Sequence, residues 1–294
     1  MSSKVFITGA SGGFGALTVK SLLENGHSVV ATMRNVETKN KEIAEELTSL
    51  GAHVVELDVT SDESVNAGVA KAIELLGGLD VVINNAGVGV LGIQETFTID
   101  DFKKLFDVNL FGVQRVNRAA LPHLRAKGSG LVIHVSSLLG RMTLPFYGPY
   151  NASKWALEAL AENYRIELSG FGVDSVLVEP GGYPTSFFNS LIFPGDTSQN
   201  ESYGPMVDAP KQLFDSFEGA LANNPDQDPQ HVADAIVKLV ETPAGERPIR
   251  TTVDNMGMGV NIHPYNEQLE QIHQGVFGAF GMDGMLKLNV KQAV

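Results

Sequence analysis

Seven short runs rich in apolar and β-branched residues recur down the chain. They are KVFIT (4–8), SVVAT (28–32), HVVEL (53–57), LDVVI (79–83), LVIHVS (131–136), VDSVLVE (173–179) and PIRTTV (248–253). Each predicts a short strand. Between the first six, apolar residues recur with helical spacing, as in LTVKSLLENG (17–26), KEIAEELTSLG (41–51), VNAGVAKAIELLG (65–77) and FKKLFDVNLFGVQRVNRAALPHLRA (102–126). Strand followed by helix, repeated, predicts an α/β fold: a doubly wound sheet of seven mostly parallel strands with helices on both faces. Gly26, Gly51 and Gly77 close three of the helical runs, where a left-handed C-cap favours glycine.

The alternation stops after Pro180. Residues 182–228 are rich in proline, phenylalanine, asparagine and acids, and read as an irregular insertion over the sheet's edge that serves as a substrate-binding lid. HVADAIVKLVE (231–241) and the last strand then close a domain expected to span residues 1–254. The tail, 255–294, carries the amphipathic stretch YNEQLEQIHQGVF and is expected to pack on the domain or on a neighbouring subunit.

A length of 294 residues would allow two domains, but strand–helix repeats add layers without starting a new core, so one is expected. The net charge of −13 repels a phosphate backbone, which argues against a nucleic-acid partner. The absence of cysteine excludes disulfides, thiolate metal sites and a cysteine nucleophile, and fits a reducing compartment. The first apolar run is three residues long and no later run approaches about 18, so a cytoplasmic protein without membrane insertion is expected. The seven histidines show no H-x-H or H-x-x-x-H spacing, so no metal site is expected, and His134, inside a strand run, reads as a core residue.

The first strand runs into TGASGGFG (8–15). Glycines at 9, 13 and 15 permit a tight turn, close approach of backbone to a pyrophosphate and close helix packing, with a helix N-terminus facing the negative charge. Residues 9–13 also satisfy G-x-S-x-G, the nucleophile elbow of hydrolases. That motif needs an oxyanion donor from an earlier strand's loop, and no strand precedes this one. LDVT (57–60), NNAG (84–87), VSS (135–137) and EPGGYPT (179–185) all fall at strand carboxyl ends, where ligands bind in open α/β sheets, while FDVNLFG places Asn109 mid-helix. In YNASKWALEAL (150–160), Tyr150 and Lys154 are four apart and share a helix face. The lysine's charge favours the phenolate, making the pair a tunable acid/base.

Over about residues 4–185 and the last strand, this set resembles the short-chain dehydrogenase/reductase family, the branch with T-G-x-x-x-G-x-G and Y-x-x-x-K; Phe14 departs from the usual isoleucine or leucine. The resemblance implies a Rossmann-like fold and a dinucleotide held by Thr8, Gly9, Ser11, Gly13, Phe14, Gly15, Asp58, Val59, Asn85, Ala86, Gly87, Tyr150, Lys154, Pro180, Gly181 and Thr185. It further implies that Lys154 holds the nicotinamide ribose, Ser137 binds the substrate oxygen, Asn109 anchors a water in a proton relay, and Tyr150 moves the proton that accompanies hydride transfer. A homodimer or homotetramer is implied as well.

NAD-selective members end the second strand with an acid, but here Met33 takes that place and Arg34 follows, so NADP(H) is favoured over NAD(H). The apolar residues around Leu139, Phe146, Tyr147 and Phe187, with Met206, Phe214 and Phe217 in the insertion, suit either a bulky hydrophobic carbonyl or alcohol, or helix packing or a subunit interface. Through ASKWALEAL (152–160) and VLVEPGGYPT (176–185) the chain is similar to the steroid- and retinol-type subgroup. An NADP(H)-dependent carbonyl reductase or alcohol dehydrogenase is therefore expected; the alternative is a dinucleotide-binding redox sensor or interaction module without turnover.

Overall fold

The computed structural model describes residues 2–290; Met1 and residues 291–294, the end of the expected tail, lie outside the described residues. Seven strands form one sheet: β1 (Lys4–Thr8), β2 (Ser28–Met33), β3 (His53–Glu56), β4 (Val81–Asn84), β5 (Gly130–Val135), β6 (Val173–Pro180) and β7 (Arg250–Val253). Their order is β3-β2-β1-β4-β5-β6-β7, and every pairing is parallel, where the sequence suggested mostly parallel. Ile7 is paired with Ala31 on one side and Ile83 on the other, so the chain reverses its direction of growth between β2 and β4, at β1. That reversal opens a crevice at the strands' carboxyl ends.

Alternate strand residues feed two cores, which is why each strand is apolar at nearly every position. Val5, Ile7, Val29, Ala31, Ile83 and Ile133 pack against α1 (Gly13–Glu24), α2 (Lys41–Ser49) and α8 (Gln230–Glu241). Phe6, Val30, Val82 and Val132 pack on the other face against α3 (Asp62–Leu76) and α5 (Gly112–Lys127), with Leu168 from the end of α6 (Gly148–Leu168). Gly77 caps α3 at φ 62°, the left-handed geometry expected of it.

Two segments differ from the sequence reading. The long run at 102–126 is not one helix: α4 (Ile99–Phe106) passes through a π turn, Asp107–Phe111, into α5. The extra residue in that wider turn re-aims Asn109 inward. The insertion is also more regular than expected. After short 3-10 turns it forms a 14-residue helix, α7 (Ala209–Ala222), which lays Leu213 and Phe214 on an apolar cluster with Tyr147 and Tyr150. The tail forms α9 (Ile262–Ala279), whose Asn266 hydrogen-bonds Glu179 at the end of β6. Among the described residues no helix is long and apolar enough to cross a membrane.

Candidate active site

The turn between β1 and α1 is built for close approach. Gly9 has φ 70°, and a Cβ there would lie 2.8 Å from the Cα of Ala86; one on Gly15 would lie 2.3 Å from the Gly9 carbonyl oxygen. Only glycine fits either place. Thr8 Oγ1 accepts hydrogen bonds from the backbone N–H groups of Asn85 and Ala86, both at 3.1 Å, and Asn85 Nδ2 donates to the carbonyls of Thr8 and Gly9. The ends of β1 and β4 are thus clamped into one floor.

Above this floor a cavity of about 570 Å³ runs along the carboxyl edge of the sheet. Gly9, Ser11, Gly13, Phe14, Arg34, Asp58, Val59, Asn85, Ala86, Gly87, Ser137, Tyr150, Lys154, Pro180, Gly181 and Thr185 all line it, as do Leu139, Tyr147 and Phe187. Three expected cofactor or substrate contacts do not. Thr8 is spent holding the β4 loop and Gly15 is packed on the Gly9 carbonyl, so both shape the turn from behind. Phe146 adopts φ 69°, and its carbonyl accepts from Gly92 N–H. The residue borders a separate, smaller pocket with Gln94 and Trp155, and packs on the apolar cluster that holds Tyr147 and Tyr150.

Tyr150 and Lys154 sit at the start of α6, where Pro149 in the first turn fits the helix entry. Lys154 Nζ donates to the Val135 carbonyl at 2.9 Å and lies 5.6 Å from the centre of the Tyr150 ring. Asn109 is buried behind them: Oδ1 accepts from Val88 N–H, while Nδ2 donates to the Val88 carbonyl and to Ser153 Oγ. Ser137 Oγ accepts from Leu139 N–H, fixing the short turn after β5.

Burial pushes Tyr150 up to about 12, with the contact to Ser137 opposing it. Burial likewise brings Lys154 down to about 8, against the pull of Glu158 one turn further along α6. Tyr150 is therefore a proton-bearing acid in this setting. Asp58, at the other end of the cavity, loses some hydration, but hydrogen bonds from Thr60 and the charge of Arg34 hold it below the usual carboxylate range.

Sequence reasoning missed several lining residues. Lys39 and Asn40 join Arg34 at the cavity mouth, and Leu144, Phe188, Leu213 and Met258 extend its apolar end. Lys39 carries no local signal, being a lone exposed lysine; Phe188 and Leu213 lie in a segment read as apolar but were not singled out. Phe14 meets Tyr183 edge-on, with ring centres 5.5 Å apart, so the larger side chain is accommodated against the cavity wall.

Residues 3–192 match the family model for short chain dehydrogenase. An uncharacterized oxidoreductase of Bacillus subtilis, YusZ, is 35% identical over 253 residues, covering 81% of this chain and 85% of that protein. Retinol dehydrogenase 8 of Bos taurus is 34% identical over 250 residues, covering 80% and 77%. Among solved structures, an alcohol dehydrogenase from the archaeon Thermococcus sibiricus, complexed with 5-hydroxy-NADP, superposes with a TM-score of 0.66 at 29% identity, covering 85% of this chain and 95% of that one. With the strand order and the lined cavity already in hand, these matches make the assignment plain: the chain is an oxidoreductase and belongs to the short-chain dehydrogenase family.

Proposed function

We propose that this oxidoreductase interconverts a bulky hydrophobic carbonyl and its alcohol using NADP(H), with Tyr150 as the proton donor and acceptor. The observation that carries this reading is the single cavity that joins the glycine turn at β1 to an apolar chamber, with Ser137, Tyr150 and Lys154 between the two. The glycine turn fits a dinucleotide, since side chains at Gly9 or Gly15 would fill or distort the floor on which a pyrophosphate would rest. A nicotinamide ring held beyond it would supply or accept the hydride. Ser137 holds the substrate oxygen, Tyr150 gives it a proton, and the positive charge of Lys154 stabilises the phenolate left behind.

Arg34 and Lys39 favour the 2′-phosphate of NADP(H). Arg34 stands 3.9 Å from Asp58 in a pair that is largely exposed, so the guanidinium is weakly engaged and can turn to a phosphate. Asn40 Nδ2 donates to the Arg34 carbonyl at 2.6 Å, and Asn35 takes φ 55°, folding the loop so that Lys39 lines the same mouth. At the opposite end Leu139, Leu144, Tyr147, Phe187, Phe188 and Leu213 offer no charged partner, which suits an uncharged lipid-like substrate. Retinol, named for the bovine relative, is of that kind, and the archaeal relative was solved with an NADP derivative. A sensor without turnover would have no use for Tyr150 and Lys154 facing the chamber.

The test is an NADPH-oxidation screen over steroidal, aromatic and aliphatic carbonyls. Turnover is expected on the apolar members, with kcat/KM for NADPH at least about tenfold above NADH, the scale of one charge-assisted contact. Arg34→Ala and Lys39→Ala should each erode that ratio and weaken NADP⁺ binding by calorimetry. Equal use of both dinucleotides by the parent protein would place both side chains elsewhere.

A further inference from the structure

Next to the reacting groups lies a buried cluster of charge that the chemistry above does not use. Arg141 Nε is 3.2 Å from Glu179 Oε1 and 3.5 Å from Glu158 Oε2; Arg250 Nε is 3.0 Å from Glu158 Oε2 and 3.3 Å from Glu179 Oε1. Glu162, less buried, is paired with both arginines. The five members come from four parts of the site's framework. Arg141 follows the turn that begins at Ser137, Glu158 and Glu162 lie on the helix of Tyr150 and Lys154, Glu179 precedes Pro180, and Arg250 opens β7. Thr252 Oγ1 and Asn266 Nδ2 donate to Glu179 Oε2, and Arg141 lies over the ring of Tyr265, so β7 and α9 seal the cluster.

Glu158 has the most direct line to the chemistry. It lies one helical turn beyond Lys154, and its charge acts on the lysine. Its Oε1 and the Ser136 hydroxyl are both buried, neither has a hydrogen-bond partner, and the two groups face each other across Gly140. A Cβ on Gly140 would meet Ser136 Oγ at 2.9 Å and Glu158 Cγ at 3.0 Å, so the contact is enclosed. Ser136 sits between Val135, whose carbonyl receives Lys154 Nζ, and Ser137. The cluster sets two arginines against three glutamates, leaving one negative charge in excess, and Lys154 is the cation beside it.

We propose that Glu158 is a positioning residue for the reaction: clamped by Arg141 and Arg250, it holds the Val135–Ser137 strand end through Ser136 and supplies the counter-charge that Lys154 faces. The proposal rests on the assignment of Tyr150 and Lys154 made above. The charged and titratable groups facing Glu158 are Lys154 and Glu162 on α6, Arg141 on the turn, Glu179 on β6 and Arg250 on β7; Tyr265 of α9 faces Arg141. Burial and the neighbouring Glu179 raise the Glu158 carboxyl well above the ordinary range, and Arg141 and Arg250 oppose that rise. Above neutrality its negative charge in turn raises the pKa of Lys154.

The experiment compares the parent chain with Glu158→Gln and Glu158→Asp, using NADPH and the best carbonyl from the screen, across pH 6 to 10. Carbonyl reduction should fall on the alkaline side as Lys154 loses its proton, near pH 8 in the parent. Removing the carboxylate in Glu158→Gln should lower kcat at least tenfold at pH 8 and move that limb to lower pH, with NADPH binding by fluorescence within threefold of the parent. Glu158→Asp keeps the charge and shortens the reach, so the limb should stay while kcat falls at least threefold; this variant decides the matter alone if Glu158→Gln does not fold. An unmoved limb in Glu158→Gln, or parental kcat in Glu158→Asp, overturns the positioning role and leaves the proposed function standing. A parent that reduces no carbonyl overturns both.

Discussion

A phenol driven up to about 12 keeps its proton throughout the neutral range, the state that the proposed proton donor requires. Its ring also packs edge-on against Phe187, with centres 5.9 Å apart, and that packing survives loss of the hydroxyl. Tyr150→Phe should therefore cost at least about a hundredfold in turnover while dinucleotide affinity, measured by NADPH fluorescence, stays nearly constant. Turnover retained by that variant would assign the proton to another group. The residues at strand ends were legible because each motif is short and its spacing is fixed by local geometry. Phe146 was not: it takes a left-handed backbone angle, φ 69°, that nothing in LPFYG announces. The inward aim of Asn109 was equally silent, since the apolar pattern of 102–126 runs unbroken through the π turn.

At the scale of the element, the insertion over the cavity is held by aromatic contacts. Phe188 meets Phe214 and Phe217 edge-on at 5.4 and 6.0 Å, and the tip of Phe217 occupies the space that a side chain on Gly182 would need. These contacts fasten α7 to the loop that carries Pro180 and Gly181 along the cavity wall. We expect the segment 182–228 to act as a lid whose ordering follows occupancy of the cavity. Limited proteolysis should cut within it, and NADPH should slow the cut; equal rates with and without NADPH would count against a lid. Strands were readable because parallel strands buried on both faces are apolar almost throughout. The helix α7 had a signal as well, with Leu213, Phe217 and Leu221 at four-residue intervals, but the flanking prolines and acids masked it.

For the molecule as a whole, a polar chain crosses the middle of the sheet. Asn84 Nδ2 donates to Asn117 Oδ1 and lies 3.5 Å from His134 Nδ1, and His134 Nε2 lies 3.2 Å from Ser175 Oγ, which donates to the Ala161 carbonyl. His134 is fully buried, as its place in a strand run suggested, and burial pushes its pKa down to about 3. The folded protein holds it neutral, whereas the unfolded chain protonates it near 6.5. Its contribution to stability is thus complete above about pH 6.5 and is lost as pH falls towards 3, by up to about 1.4 kcal/mol per pH unit. Urea unfolding at pH 7 and pH 5 should show this loss, and His134→Gln should be less sensitive to acid by about one proton; an unchanged slope would locate the acid sensitivity elsewhere. The common direction of all seven strands also gives the molecule a front and a back. Each helix that leaves the cavity edge ends at the far edge, so exposed Glu24, at the end of α1, lies behind the chemistry. Because the chain has no cysteine, Glu24→Cys would create a sole thiol there, and a molecule anchored to a solid support through it would turn its cavity outward.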